Sequence, residues 1–271
     1  MTSHRRRLTS SAYGGKPAPT ARRGPDSRPR AINSGMNNNT ASSGREFVHR
    51  LTMGRLARVC SRLWFKCVPS FPIKRRAFGL ICYFDSRDTV HYWLMSKGAL
   101  ESEKIVEVLG SGSGLAWDVG CNIGIYSLLM ASRGRPVVAF DLSQKAVDFV
   151  KKSAKANGFK NITAVARGLS VSPVKYSVPD TARLGNRIEG EGECRALTFE
   201  EAAKLYGVPS LIKMDIEGHE EVFLKSPAFK EWMLRNRIKW VLEIHDPEFK
   251  KLFWADVTVE ELEPGQYLLN R

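Results

Sequence analysis

From residue 115 onward, apolar runs of two kinds alternate along the chain. Residues 115–119, 137–141, 161–166, 211–215 and 239–245 are short and nearly continuously apolar, each with Gly, Pro, Asn or Ser close by. That pattern predicts strands buried on both faces. The segments between them carry helical spacing. Residues 125–131 are mostly apolar, and Ala146, Val147, Val150 and Ala154 form one helix face that Ser143 can cap and Asn157-Gly158 can close. Thr198-Phe199-Glu200-Glu201 is a capping box opening another helix, residues 217–224 turn into a further one, and Pro227 opens the next. Residues 101–109 read as a helix ahead of the first strand, stopped by the serine–glycine run from Gly110 to Gly114. The alternation predicts an α/β fold with a mainly parallel, twisted sheet covered by helices on both faces.

The two ends differ from this pattern. Residues 1–45 are rich in Arg, Pro, Ser, Gly and Asn with almost nothing apolar, which predicts a disordered basic N-terminal extension. Residues 46–100 read as a helical and lid extension, and residues 101–271 as the main domain. Within 46–66, Leu56, Val59 and Leu63 make one stripe beside Arg55, Arg58 and Arg62. Such a basic helix either packs on its own domain or makes peripheral contact with an anionic membrane. Residues 78–84 are apolar and aromatic, and residues 88–100 lead toward the mouth of the site. After His245 only 26 residues remain, little for a helix plus a terminal antiparallel hairpin. The candidate strands are 257–259 and 266–269, linked around Pro264-Gly265.

Charge divides the same way. The net charge is +14, yet residues 1–84 hold 17 Lys and Arg against Asp26 and Glu46, and the remainder holds 25 basic against 26 acidic side chains. The basicity therefore belongs to the extension, and a nucleic-acid partner for the neutral domain is not expected. Five cysteines (60, 67, 82, 121 and 194) are odd in number and never spaced C-x-x-C, which points to a reducing, cytoplasmic setting without a zinc framework. No apolar run approaches the ~18 residues of a membrane span.

The chemistry gathers where strands end. Between the strand at 115–119 and the helix at 125–131 lies Asp118-Val119-Gly120-Cys121-Asn122-Ile123-Gly124, a glycine turn at the nucleotide-binding corner of an open sheet. It lacks two of the three glycines of the dinucleotide pattern. An acid on the strand before the loop repels pyrophosphate but suits a cationic ligand with an amino-acid tail. S-adenosylmethionine is such a ligand. Asp141, 17 residues past Gly124, stands where an acid holds ribose hydroxyls. Asp215-Ile216-Glu217-Gly218-His219-Glu220 is the densest polar cluster, with Glu243-Ile244-His245 at the next strand end. Carboxylates and an imidazole there can take the proton from a hydroxyl acceptor. With His219 and His245, the two acids could instead ligate a divalent cation.

Together D-V-G-C-N-I-G-I-Y-S, V-V-A-F-D-L-S, G-L-S at 168–170, L-I-K-M-D-I-E-G-H-E and W-V-L-E-I-H resemble the FkbM-type S-adenosylmethionine-dependent methyltransferases over roughly residues 105–250. The resemblance implies a Rossmann-like class I methyltransferase fold and O-methylation of a sugar, glycan or secondary-metabolite hydroxyl. It implies that Asp118, Gly120, Asn122 and Gly124 face the methionine part of S-adenosyl-L-methionine and that Asp141, where the family usually has Glu, holds the ribose. It also implies that Asp215 and Glu217 border the reaction centre. His219 and Glu243 complete the expected catalytic set, and no metal is expected, because no compact ligand motif is present. The rivals to this reading are a nucleic-acid methyltransferase using the basic arm and a non-catalytic, membrane-docked interaction protein.

Overall fold

The computed structural model describes residues 69–87, 103–177 and 189–271. The expectations for residues 1–45, 46–66 and 88–100 lie outside them. Among the described residues the first elements are β1 (Pro72–Ala77), β2 (Leu80–Asp85), α1 (Glu103–Gly110), β3 (Ala116–Val119), α2 (Ile125–Ser132), β4 (Val137–Asp141) and α3 (Gln144–Ala156). There follow β5 (Ile162–Ala166), β6 (Leu169–Ser170), β7 (Lys175–Ser177), β8 (Glu189–Arg195), β9 (Leu197–Thr198) and α4 (Phe199–Tyr206). The last part holds β10 (Leu211–Met214), α5 (Glu220–Leu224), α6 (Pro227–Arg235), β11 (Lys239–Glu243), a 3-10 helix (Pro247–Leu252), β12 (Thr258–Glu263) and β13 (Gln266–Asn270).

Seven strands form the central sheet, in the order β12-β13-β11-β10-β3-β4-β5. The five from β5 to β11 run parallel, and β13 lies antiparallel between β11 and β12. The short tail after His245 thus completes the sheet. A 3-10 helix of six residues replaces a full α-helix there, which leaves enough chain for both terminal strands.

Side chains on this sheet alternate between two buried faces. Trp117, Val138, Ile212, Trp240 and Leu269 point to one, where Phe199, Phe229, Trp232 and Trp254 cover them. Their neighbours Ala116, Val137, Leu211, Val241 and Leu268 point to the other, against Ile105 and Leu109 of α1 and Leu129 and Met130 of α2. Both faces are dry, so the strands read as continuous apolar runs. The helix starts follow the sequence. Ser143 Oγ accepts from Ala146 N, and Thr198 and Glu201 form a reciprocal capping box. Residues 78–84 are not one run. They hold the turn and second strand of the β1–β2 hairpin, which Ser153 Oγ and Asn157 of α3 tie down through Tyr83 N, Ile81 N and Ile81 O.

Chain order places β4 and β5 on one side of β3, and β10 and β11 on the other. The topological switch point lies between β3 and β10, and ligands of open α/β sheets bind outside the carboxyl ends there. Gly120 follows β3, and Asp215 follows β10.

Candidate active site

The glycine turn is shaped by its own hydrogen bonds. Gly120 N and Cys121 N both donate to Phe140 O at 3.0 and 2.9 Å, and Gly124 N donates to Cys121 O at 2.8 Å. Asn122 N donates to Asp141 Oδ2 at 2.7 Å. A phosphate cradle needs such N–H groups free. Here they are committed, so the turn offers carbonyl and carboxylate oxygens to a ligand. Packing alone demands glycine at both positions. A Cβ on Gly120 would lie 1.8 Å from Asp215 O, and one on Gly124 would lie 2.7 Å from a Val150 methyl. Both glycines also have positive φ, at 75° and 82°.

Two acids frame this corner. Asp118 is fully buried in β3, where Ser127 Oγ donates to its Oδ2 and its Oδ1 has no hydrogen-bond partner. Burial raises its pKa, against the opposing pull of Lys213. Asp141 ends β4 and accepts from Asn122 N and, through Oδ1 at 2.9 Å, from Ser143 N. Burial raises its pKa as well, and those two backbone donors oppose it. Cys121 is buried, and burial with the nearby Asp141 and Asp118 pushes its thiol well up, so it is an inert filler.

The second cluster sits at the ends of β10 and β11. Lys213 is 1% exposed, donates to Asp215 Oδ2 at 3.1 Å, and lies 4.7 Å from the Tyr126 ring centroid. Burial alone would discharge this amine, but Asp215, Glu243 and Asp118 outweigh it and raise its pKa. Asp215 is held below the usual range, since Lys213 and His245 outweigh its burial. Glu217 follows in the left-handed region at φ 55°, unusual for a long side chain, with Gly218 at 97°. This sharp exit aims Glu217 Oε2 at His245 Nε2, 3.4 Å away, and Asp215 Oδ1 lies 3.5 Å from the same nitrogen. Burial and Asp215 raise the Glu217 pKa. The other ring nitrogen, Nδ1, lies 3.2 Å from Oε1 of Glu220. That bond, helped by Asp215 and Glu217 and opposed by burial, lifts the His245 pKa to about 9.

The structure therefore brings Asp215, Glu217 and His245 together, with their candidate ligand atoms within 4.8 Å of one another. It does not bring His219 to them. His219 caps α5, and its ring makes no hydrogen bond or ion pair among the described residues. The imidazole that meets the acids comes from β11 instead, because Glu220, one helical position on from His219, reaches it. Glu243 accepts from Gln266 Nε2 at 3.0 Å and adds to the field on Lys213. Sequence reading passed over Lys213 and Glu220. A lysine inside an apolar strand and a glutamate in the quoted motif were their only signals.

Residues 117–178 match a family described as "Methyltransferase domain". No curated protein matches the chain. Among solved structures it is similar to M. jannaschii TYW2 in complex with AdoMet, at 11% identity and TM-score 0.40, covering 75% of this chain and 85% of that one. It is also similar to the T. thermophilus 16S rRNA methyltransferase RsmC in complex with AdoMet and guanosine, at 14% identity and TM-score 0.43, covering 75% and 50%. A third is the Pyrococcus abyssi tRNA (uracil-54, C5)-methyltransferase in complex with S-adenosyl-L-homocysteine, at 13% identity and TM-score 0.40, covering 73% and 43%. The chain thus spans half or less of the length of two of these three proteins. Sheet order and glycine corner define a Rossmann-like α/β fold of the kind class I methyltransferases have, and residues 117–178 of it match the methyltransferase-domain family. Among the described residues no helix is long and apolar enough to cross a membrane.

Proposed function

We propose that the protein transfers a methyl group to a hydroxyl oxygen of a small molecule or glycan. The observation that carries this reading is the convergence of Asp215, Glu217 and His245 on one point, one strand away from the glycine corner. A neutral hydroxyl is a poor nucleophile, and its attack needs the O–H proton removed as the new bond forms. Positioned proton acceptors contribute ~100- to 10,000-fold to such steps. Asp215 stays ionised beside Lys213, Glu217 shares the opening, and Glu243 borders it through Gln266.

S-adenosylmethionine supplies, when bound, a methyl carbon activated by a sulfonium. The residues fit such a ligand. The N–H groups of Gly120, Cys121, Asn122 and Gly124 are committed, Asp118 keeps a buried oxygen without a donor, and Asp141 stands across from Asn122. This donor-poor, carboxylate-rich corner favours ammonium, sulfonium and hydroxyl groups over phosphate. In this reading Asp118, Gly120, Asn122 and Gly124 hold the methionine part, and Asp141 holds the ribose.

The test supplies cofactor labelled with carbon-13 in its methyl group to the purified full-length protein. Sugars, glycosides and hydroxylated aromatics are offered in one arm and total RNA in another. Methyl ethers in the first arm are expected. Label on nitrogen or carbon of RNA bases would overturn the hydroxyl assignment. That second reading is favoured by the +15 charge of residues 1–84, and its binding should then weaken steeply with salt.

A further inference from the structure

We infer that Asp215, Glu217 and His245 form a divalent-cation site at the carboxyl ends of β10 and β11. The inference deepens the hydroxyl-transfer reading and rests on it only for what the ion is used for. The distances argue first. Nε2 of His245 lies 3.5 Å from Asp215 Oδ1 and 3.4 Å from Glu217 Oε2. Two ligand atoms that each sit ~2.1 Å from one ion are separated by about 3.0 to 3.4 Å between right-angle and tetrahedral geometry. These spacings are long for direct hydrogen bonds and lie at or just beyond the upper end of that range, and with all three ligand atoms within 4.8 Å of one another a bound ion would draw them inward.

Two further observations point the same way. Asp215 Oδ1 is buried and accepts no hydrogen bond, while its partner oxygen is taken by Lys213 at 3.1 Å. One oxygen is neutralised and the other is left facing the centre. Glu220, whose side chain has no exposure, holds Nδ1 of His245 at 3.2 Å. A carboxylate on the far nitrogen of an imidazole orients the ring and keeps a proton there, so that Nε2 presents its lone pair once the incoming ion displaces the proton it carries in the ion-free state. One nitrogen and two carboxylate oxygens suit Mn²⁺ or Zn²⁺ better than Ca²⁺. Three protein ligands leave a position open, as a catalytic rather than structural site requires. An acceptor hydroxyl bound there ionises more readily. With the ion bound, Asp215, Glu217 and His245 serve as ligands rather than as proton acceptors, so the proton leaves to water, the oxygen forms the new bond to the methyl carbon, and the carbon–sulfur bond breaks to leave the thioether. The proposal departs from the metal-free expectation from sequence, where no single stretch holds all three ligands.

The experiment uses full-length protein stripped with EDTA and dialysed. Binding of Mn²⁺ is followed by electron paramagnetic resonance, Zn²⁺ by calorimetry, and S-adenosylhomocysteine by calorimetry in parallel. One Mn²⁺ or Zn²⁺ per chain is expected, with affinity falling about tenfold or more in Glu217→Gln and in His245→Gln. Melting temperatures of both variants confirm folding, and a rise in melting temperature of the unaltered protein with the ion supplies a measurement independent of them. Absence of a stoichiometric site for both ions, or affinity unchanged in both folded variants, would overturn the proposal and leave the three side chains as an ion pair. S-adenosylhomocysteine binding without ion binding defeats the cation site alone. Ion binding without S-adenosylhomocysteine binding defeats the transfer reading and keeps the site.

Discussion

Oε1 of Glu220 receives Ile216 N at 3.1 Å and lies 3.2 Å from Nδ1 of His245, so one buried oxygen ties the turn after β10 to the end of β11. Glu220 is the first residue of α5, and its carboxylate also faces the helix N-terminus, where a negative charge is favoured. The left-handed turn at Glu217 keeps its shape because this clamp closes behind it.

Glu220→Ala should therefore destabilise the fold by about 1–3 kcal/mol, the cost of leaving a buried N–H and a ring nitrogen without their partner. Urea denaturation of the variant beside the unaltered protein measures it. A midpoint that does not move would show the turn to be held by other contacts.

Gly120→Ala meets a harder obstacle. Its Cβ would overlap the Asp215 carbonyl, which is backbone and cannot swing aside, at a residue with φ 75°. The variant should lose about 2 kcal/mol or more and bind S-adenosylhomocysteine poorly if it folds. Calorimetry and thermal unfolding together decide this, and wild-type stability would show that the two turns separate freely.

Lys213→Met removes a buried amine whose charge is set against Asp118, Asp215 and Glu243. Breaking a buried charge cluster on one side costs about 3–5 kcal/mol, far more than the volume change. The double variant Lys213→Met with Asp215→Asn should recover part of that loss. A double-mutant cycle in urea supplies the number, and strictly additive effects would rule the coupling out.

Acid should loosen the β1–β2 hairpin first. Burial alone would raise the Asp85 pKa, but donors from Lys145, Ser70 and Arg87 N outweigh it and hold the carboxyl well below its usual range. A depressed folded pKa means stability that is present above the unfolded value, ~3.9, and lost as pH falls below it. Lys145 is partly exposed, so the pair is worth about 1 kcal/mol. The stability gap between wild type and Lys145→Met should be full at pH 6, begin to shrink below about pH 4 and close only where Asp85 itself protonates in the fold, as urea titrations would show. A gap that does not shrink at all between pH 6 and pH 2 would mean that Lys145 acts through packing.

Much of this architecture was legible as alternation of apolar runs, since a sheet buried on both faces leaves few polar positions to confuse the pattern. Ser143 and the Thr198–Glu201 box marked helix starts correctly because capping chemistry is local. The strand Pro72–Ala77 was not visible, because its Lys74, Arg75 and Arg76 all face solvent on a two-stranded hairpin. Likewise β12 carries Glu260, Glu261 and Glu263, and only its first residues look like a strand. The candidate site was half legible. Asp118, Asp141 and Asp215 follow from the rule that ligands meet strand ends. The choice of His245 over His219 depends on a left-handed Glu217 and a buried Glu220, which no spacing rule reports.

The missing side chain of Gly120 is filled by the carbonyl of Asp215, and this contact fuses the two halves of the sheet at their switch point. The turns after β3 and β10 share a wall with no slack between them. Neither can shift by an ångström without pushing the other. A substitution that reshapes one turn must therefore be matched by a change in the other, and the pair behaves as one mechanical part.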